Sequence, residues 1–172
     1  MALLPIITAP DPRLKVKSTA VERVDDELRR LLDSMLETMY DAPGIGLSAI
    51  QVGVPKRMMT IDVSDREEPR QPLFLINPRI VWVSETGCLY DEGCLSLPDQ
   101  FAEIERPERV RVEYVDRDGK AQSLEADGLL ARCVQHELDH LDGILFVDHL
   151  SGVKRNMILR KLAKAKRQQA TG

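Results

Sequence analysis

The chain has 172 residues, of which 43% are hydrophobic and 30% charged, a composition typical of a globular domain. Its formal net charge of -4 argues against a sequence-specific nucleic-acid-binding protein, and no apolar run is long enough to cross a bilayer. Three cysteines, an odd number, argue against a disulfide framework. We therefore expect one domain over residues 1–172 in the cytosol, with no membrane partner and no signal peptide at its start.

The first predicted helix follows a proline-bearing segment. Residues 3–18 contain three prolines and are typical of an extended arm with turns. Either Asp25 or Asp26 can cap a helix whose apolar positions run from residue 28 to residue 39 at helical spacing. A proline and a glycine at residues 43–44 then end it.

Four segments after this helix have the composition and alternation of β-strands. They contain valine, isoleucine, phenylalanine and tryptophan and cover residues 57–63, 73–83, 110–115 and 121–126. The dipeptide Asp118-Gly119 between the last two predicts a hairpin turn.

The densest group of chemically active residues lies near the C-terminal end. His136, Glu137 and His140 form the pattern H-E-x-x-H on a helix expected to begin near Asp127 and to end at residues 142–143. Positions four apart share one helix face, so both imidazoles can bind one metal ion and the glutamate can reach a water molecule beside it. The alternative is an ordinary buried helix face with a polar edge. Because two of the chain's three histidines fall in this spacing, we favour the metal site.

The order of the predicted elements indicates the fold class. A helix, several strands and two further helices follow one another without regular alternation of strand and helix. We therefore predict an α+β fold with antiparallel β-sheets packed around the central metal-binding helix. An N-terminal helix and a C-terminal helix over about residues 151–166 complete the prediction.

A third metal ligand is expected from residues 92–98, Glu-Gly-Cys-Leu-Ser-Leu-Pro. The thiolate of Cys94 beside two histidines would give a three-ligand site that leaves one position open for water. A buried structural cysteine is the alternative, and Cys88, which no second motif surrounds, fits that description better.

These segments together resemble the peptide deformylase family. Its motifs are G-φ-G-φ-A-A-x-Q (φ, apolar), E-G-C-φ-S and Q-H-E-φ-D-H. They correspond here to Gly-Ile-Gly-Leu-Ser-Ala-Ile-Gln at 44–51, Glu-Gly-Cys-Leu-Ser at 92–96 and Gln-His-Glu-Leu-Asp-His at 135–140. The resemblance covers essentially the whole chain. It implies a metal-dependent catalytic domain that removes the formyl group from the formyl-methionine of newly made polypeptides and releases formate.

The resemblance also implies a role for each residue that matches the family's motifs. Glu137 matches the general acid and base, whereas Gln51 and the backbone N–H of Leu95 match the donors to the formyl oxygen. The metal ligands match Cys94, His136 and His140. The residues that match positions along the bound peptide and its methionine pocket are Ile45, Gly46, Gly93, Leu129 and Cys133.

The cofactor and partners follow from the same resemblance. One divalent metal ion is expected, with Fe2+ in the cell and Zn2+, Ni2+ or Co2+ in a preparation, although the ligand set alone indicates zinc. The partners are N-formyl-methionyl nascent peptides, and the basic residues from Lys154 onward predict docking to the ribosome. The expected location is the bacterial cytoplasm, with an organellar enzyme that has lost its transit peptide as the alternative.

Three residues depart from the family's usual pattern. Ser48 replaces the first alanine of the usual pair, and Arg132 occupies an often apolar position beside the methionine pocket. Phe101 stands two residues after Asp99, at a position where a basic residue is common.

Two other functions compete with deformylation. A zinc endopeptidase would draw its third ligand from beyond the helix, and a closed structural zinc site would need Cys88 as a fourth ligand.

Overall fold

The computed structural model describes residues 2–171; Met1 and Gly172, the two ends of the predicted domain, lie outside the described residues. Three α-helices occur within this range: α1 (Asp26–Asp41), α2 (Gly128–Leu141) and α3 (Gly152–Thr171). The strands are β1 (Gly46–Ser48), β2 (Met58–Ile61), β3 (Leu73–Val83), β4 (Gly87–Cys94), β5 (Leu97–Pro107), β6 (Arg109–Val115) and β7 (Ala121–Asp127). The predicted α+β class is confirmed.

The larger sheet has five strands in the order β1-β2-β3-β6-β7, and all its pairings are antiparallel. The predicted turn between β6 and β7 is present, and Gly119 in it has a φ of 82°, which favours glycine. One face of the sheet packs against α2, where Leu75 and Val112 meet Val134 and Leu138. The four strands predicted from sequence all belong to this sheet.

The smaller sheet is a long hairpin formed by β4 and β5, which the sequence analysis did not predict. Its strands lack a clear alternation because much of the hairpin is solvent-exposed; Leu89 is 63% and Phe101 64% exposed. Only a few apolar residues, among them Leu97 and Ile104, bury their side chains in a core cluster with Phe146. The hairpin therefore presents a weaker hydrophobic pattern than the larger sheet.

Helix α2 lies between the two sheets and is buried over most of its length. Its limits agree with the prediction: Asp127 occupies the N-cap position, and Gly143, with a φ of 74°, follows its C-terminal end. This position places the residues of the H-E-x-x-H pattern in the interior of the molecule.

Of the other two α-helices, α1 precedes the first strand and α3 follows α2. The carboxylate of Asp25 caps α1 by accepting a 2.9 Å hydrogen bond from the N–H of Leu28, as predicted. Helix α3 extends beyond the predicted end at residue 166 and is anchored by Leu162, which is 5% exposed. Across residues 2–171, no helix combines the length and apolarity needed to cross a membrane.

Candidate metal centre

The two histidines of α2 face the same point. His136 and His140 are one helical turn apart, and their ring centroids lie 5.0 Å from each other. His140 is 1% exposed and Glu137, which lies between them in the sequence, is 2% exposed. The helical spacing therefore brings the three side chains to one buried position, as the sequence predicts.

The end of β4 carries Cys94 to the same position. The register between β4 and β5 shifts after Gly93, and Asp99 adopts a left-handed φ of 62° in this irregularity. A tight turn follows Cys94, and the N–H of Ser96 points at the Cys94 Sγ over 3.4 Å. The Sγ lies 3.2 Å from the His140 Nε2, and the ligand atoms of Cys94, His136 and His140 all lie within 4.8 Å of one another.

These residues fit a transition-metal ion. A thiolate and two imidazoles form a donor set suited to zinc or ferrous iron. The Nδ1 of His136 hydrogen-bonds to Glu92 Oε1 over 2.9 Å, which orients the ring so that its Nε2 faces away from Glu92. Burial lowers the pKa of His140 well below its ordinary value and so favours the neutral imidazole that binds metals.

Negative charge converges on the same point. Burial lowers the pKa of His136, but the charges and hydrogen bonds of Cys94, Glu92 and Glu137 together outweigh burial and leave that pKa well above its ordinary value. An environment that stabilises a positive charge on His136 would equally favour a bound cation at this place.

Glu92 is the centre of a buried ion-pair network. Its carboxylate accepts hydrogen bonds from Arg106 Nε at 2.6 Å and from Arg106 Nη2 at 3.0 Å, and it also pairs with Arg132. Burial raises the pKa of Glu92, but the hydrogen bonds from His136 and Arg106 outweigh it and hold the value at about 2. Arg106 Nη1 also donates a 2.9 Å hydrogen bond to the Asp139 carboxylate on α2. Charged contacts therefore join the hairpin to this helix.

This ion-pair network was not predicted from the sequence. Glu92 was part of the recognised E-G-C motif and could have suggested an orienting partner for a ligand. Arg106 gave no such signal because the hairpin that carries it was not predicted.

Glu137 lies beside the ligands in surroundings that change its acidity. Burial raises its pKa to about 7, a value that suits a group that accepts and returns protons near neutral pH. The hydroxyl of Ser48, unassigned from the sequence, donates to the Glu137 carbonyl oxygen at 2.9 Å and lies 3.4 Å from Oε1. The close approach favours glycine at position 46, because an added Cβ would lie 3.0 Å from Glu137 Oε2 and 2.7 Å from Cys133 Sγ, so one of these side chains would have to shift.

Gln51 reaches the centre from the short 3₁₀-helix Ala49–Val52. Its Oε1 accepts the backbone N–H of Ser48 at 2.9 Å, which fixes the orientation of the amide. Its Nε2 donates to Ser96 Oγ at 3.0 Å and lies 3.7 Å from Cys94 Sγ. The amide N–H groups of Gln51 are therefore directed to the side of the centre where Cys94 lies.

A cleft of about 780 Å³ opens onto the centre. The cleft is lined by residues at the start of β1, by residues of the hairpin and by residues of α2. All the predicted site residues except His140 are among them. His140 lies deeper, beneath the cleft. Cys133 is buried and directs its thiol to the Ile45 carbonyl over 3.6 Å, and burial raises its pKa well above the ordinary value.

Two of the three departures noted in the sequence lie along this cleft. Phe101 is exposed, and its ring covers Gly93, where an added Cβ would approach the ring to 2.5 Å. Arg132 does not place a free charge in the cleft, because its guanidinium is buried and paired with Glu92. The expectation that Cys88 is a buried structural cysteine is wrong, because it lies on the solvent-exposed hairpin strand β4. It is not part of the Cys94, His136 and His140 cluster, so it offers no support for a four-ligand site.

Known proteins are similar to this chain in both sequence and fold. A sequence model of the polypeptide deformylase family matches residues 3–156. The peptide deformylase of Rhizobium meliloti strain 1021 is 58% identical over 165 residues, which cover 96% of this chain and 95% of that protein. The crystal structure of peptide deformylase from Ehrlichia chaffeensis superposes with a TM-score of 0.94 at 42% identity, covering 98% of this chain and 99% of that one. Its complex with actinonin gives a TM-score of 0.93 at 44% identity, over 97% and 99% of the two chains. The chain therefore belongs to the peptide deformylase family, whose members remove the N-formyl group from nascent peptides.

Proposed function

We propose that the cleft holds an N-formyl-methionyl peptide with its formyl group beside Cys94, His136 and His140. The observation that carries this proposal is the convergence of the three ligand atoms within 4.8 Å beneath a cleft that Glu137 also lines. A divalent metal ion held by these residues would supply Lewis acidity toward water and toward the formyl carbonyl. Although the ligand set alone indicates zinc, membership of the family leads us to assign Fe2+ as the ion in the cell, with Zn2+, Ni2+ or Co2+ able to replace it in a preparation.

Glu137 is the general base and then the general acid of the reaction. Its carboxylate takes a proton from the attacking water and later gives it to the amine nitrogen that leaves as the new N-terminus. A pKa of about 7, caused by burial, suits a group that must do both. Gly46 leaves room for this carboxylate, because an added Cβ there would lie 3.0 Å from Glu137 Oε2.

Gln51 and Leu95 stabilise the negative charge that develops on the formyl oxygen. The amide of Gln51 is held by Ser48 and Ser96, so its Nε2 is already oriented before the substrate arrives. Leu95 directly follows Cys94, and its backbone N–H is the second donor. Removing one such donor from an oxyanion site typically costs about 2.7–4 kcal/mol of transition-state stabilisation.

The peptide lies between Ile45 and Gly46 on one side and Gly93 on the other. In this arrangement it adds a strand between the two sheets and is bound through its backbone. Leu129 and Cys133 on α2 border the pocket for the methionine side chain, whose flexible thioether suits an apolar slot. All five of these residues line the cleft.

The decisive experiment is formate release from formyl-Met-Ala-Ser by anaerobically prepared protein. We expect the wild type to release formate and Glu137→Gln to turn over at least about 100-fold more slowly while keeping its metal. An internal peptide without a formyl group serves as the control substrate. Cleavage of that peptide instead of formyl-Met-Ala-Ser would contradict the proposal in favour of an endopeptidase.

The identity of the metal is tested by its sensitivity to oxygen. Ferrous iron beside the Cys94 thiolate is open to oxidation of either partner, so exposure to air should abolish activity. Metal analysis and activity are compared between anaerobic and aerobic preparations, with a zinc-reconstituted sample as the control. Equal activity in the two preparations would contradict the assignment of iron.

We also propose that residues 1–172 form one catalytic domain that works in the bacterial cytoplasm beside the ribosome; the mature form of an organellar enzyme is the alternative. Support comes from α3, whose sequence has no acidic residue and whose exposed side chains include Arg160, Lys161 and Lys164. A helix whose charged side chains are all positive is suited to bind an RNA-rich surface.

Ribosome docking is tested by reversing the charge of α3. Replacing Arg160, Lys161 and Lys164 by glutamate leaves the buried Leu162 in place, so the helix keeps its anchor. We expect this variant to be lost from the ribosome pellet in sedimentation while its activity on a short peptide stays unchanged. The matched control reverses exposed charges elsewhere, at Arg66 and Lys120. Unchanged sedimentation of the α3 variant would contradict docking through this helix.

A further inference from the structure

The short link between α1 and β1 borders the cleft. Residues 42–45 follow the last turn of α1 and lead directly into β1, and all four line the cleft. Three of them, residues 43–45, also line a second cavity of about 410 Å³. Because the link has open space beside it in both cavities, close packing alone cannot hold it in place. Directional contacts must therefore fix its position.

The end of the link is attached to the larger sheet by a backbone hydrogen bond. The N–H of Asp62, the residue that follows β2, donates to the Ile45 carbonyl at 2.9 Å and so continues the pairing of β1 with β2. Ile45 is half-exposed, and β1 is the outermost strand of this sheet within residues 2–171. The position of Asp62 therefore helps to set the position of the strand edge that faces the cleft.

The carboxylate of Asp62 is buried and accepts hydrogen bonds from three segments. Its Oδ1 accepts from the N–H of Ser64 at 2.9 Å and its Oδ2 from the N–H of Gln71 at 3.0 Å, so one carboxylate closes both ends of the loop 64–71. Its Oδ2 also accepts from the hydroxyl of Tyr40 at 2.5 Å. Burial raises the pKa of Asp62, but the hydrogen bonds from Ser64 and Tyr40 outweigh burial and leave that pKa below its ordinary value. The carboxylate is therefore charged at neutral pH.

Tyr40 completes a closed cycle of contacts. It lies in the last turn of α1, and the chain runs from it through residues 41–44 to Ile45, whose carbonyl accepts from Asp62. The Asp62 carboxylate in turn accepts from the Tyr40 hydroxyl. Burial and the neighbouring carboxylate raise the pKa of Tyr40 to about 12, so this hydroxyl keeps its proton. Both ends of the link are thus tied to the same residue.

We propose that Asp62 and Tyr40 are positioning residues that fix the cleft-facing edge of β1 for the bound peptide. This inference rests on the proposed function, which places the peptide backbone against Ile45 and Gly46. An added strand is bound through main-chain hydrogen bonds, and binding is strongest when the receiving edge is already held in one position. Loss of the two contacts should weaken peptide binding and leave the chemical step unchanged, because Glu137 and the metal ligands lie on other elements.

The alternative is that these two residues only stabilise the fold. Hydrogen bonds to a buried carboxylate are stabilising in themselves, so a lower melting temperature would not separate the two roles. A purely structural defect reduces the amount of folded protein and therefore the apparent kcat, but it leaves the KM of the folded molecules unchanged. A displaced strand edge instead raises KM at constant kcat, because it weakens contacts made equally in the ground state and the transition state.

The test measures kcat and KM for formyl-Met-Ala-Ser with wild type, Asp62→Asn and Tyr40→Phe. Asp62→Asn replaces one acceptor oxygen by an NH2 group, so we expect KM to rise by at least about tenfold with kcat within about twofold of the wild type. Tyr40→Phe removes one hydrogen bond and keeps the aromatic ring, so KM should rise by about three- to fivefold. The matched control is Tyr114→Phe on β6, which β2 and β3 separate from β1 and which should leave both constants unchanged.

Folding and metal content are measured for each variant. An unchanged KM in folded, metal-loaded Asp62→Asn and Tyr40→Phe would overturn the inference, and so would a loss confined to kcat. If Asp62→Asn does not fold, Tyr40→Phe gives the answer: a raised KM at constant kcat supports the positioning role and an unchanged KM overturns it. A wild type inactive on formyl-Met-Ala-Ser would contradict the proposed function instead.

Discussion

The two elements that supply the candidate ligand atoms are held in place in different ways. Helix α2, which carries His136 and His140, is packed against the larger sheet through apolar side chains such as Val134 and Leu138. The hairpin, which carries Cys94, has few buried apolar residues near this end and is joined to the helix by buried charges centred on Glu92. Apolar burial is non-directional, whereas charged hydrogen bonds fix distances and angles. The half of the centre that lacks a large apolar face is therefore positioned by directional contacts.

The largest expected effect comes from breaking the charged contacts. Replacing Glu92 by glutamine leaves Arg132 buried without a carboxylate and Arg106 with only Asp139, so we expect the free energy of unfolding to fall by about 3–5 kcal/mol. Metal affinity should also fall by about 10–100-fold, because His136 loses the partner that orients it. Urea unfolding of the metal-free protein and chelator competition measure the two effects.

The control for this variant is Glu125→Gln on β7. Glu125 forms an exposed pair with Arg111, and such pairs contribute about 0–1 kcal/mol. Equal losses of stability in the two glutamine variants would show that burial of the Glu92 network has no special importance.

A slightly smaller effect is expected on the apolar side of the comparison. Leu75 on β3 is fully buried in the cluster that supports α2, so Leu75→Ala should lower the free energy of unfolding by about 2–5 kcal/mol. Metal affinity of the folded protein should change little, since no ligand loses a hydrogen-bond partner. The same two measurements apply, and a loss of metal affinity as large as that of Glu92→Gln would remove the distinction between the two regions.

The smallest effect concerns the contact between Ser48 of the larger sheet and Glu137, the proposed general base. Ser48→Ala removes the hydroxyl that donates to the Glu137 carbonyl, so we expect a loss of about 1 kcal/mol in stability. Turnover of formyl-Met-Ala-Ser should slow by less than about tenfold, because the backbone N–H that holds Gln51 is unchanged. Ser123→Ala on the exposed side of β7 is the matched control. If turnover slowed by about 100-fold, the hydroxyl would instead be part of the catalytic machinery.

Much of the candidate site could be predicted because its residues are close in sequence. His136, Glu137 and His140 lie within one helical turn and a half, where the helical period alone sets their relative positions. Asp25 as a helix cap and the Asp118-Gly119 turn are equally local, and the structure confirms both. Cys94 could be assigned only through its motif, since nothing local indicates which distant histidines it meets.

The sequence by itself thus determined the helix that carries the H-E-x-x-H pattern, four of the five strands of the larger sheet and the family. The tertiary structure alone decided that β4 and β5 form a hairpin, that Cys94 lies 3.2 Å from His140 and that Arg132 is buried against Glu92. The physical reason is the range of the interactions. Helical periodicity, capping and tight turns depend on residues a few positions apart, whereas Arg132 and Glu92 are 40 residues apart and meet only when the hairpin docks on α2.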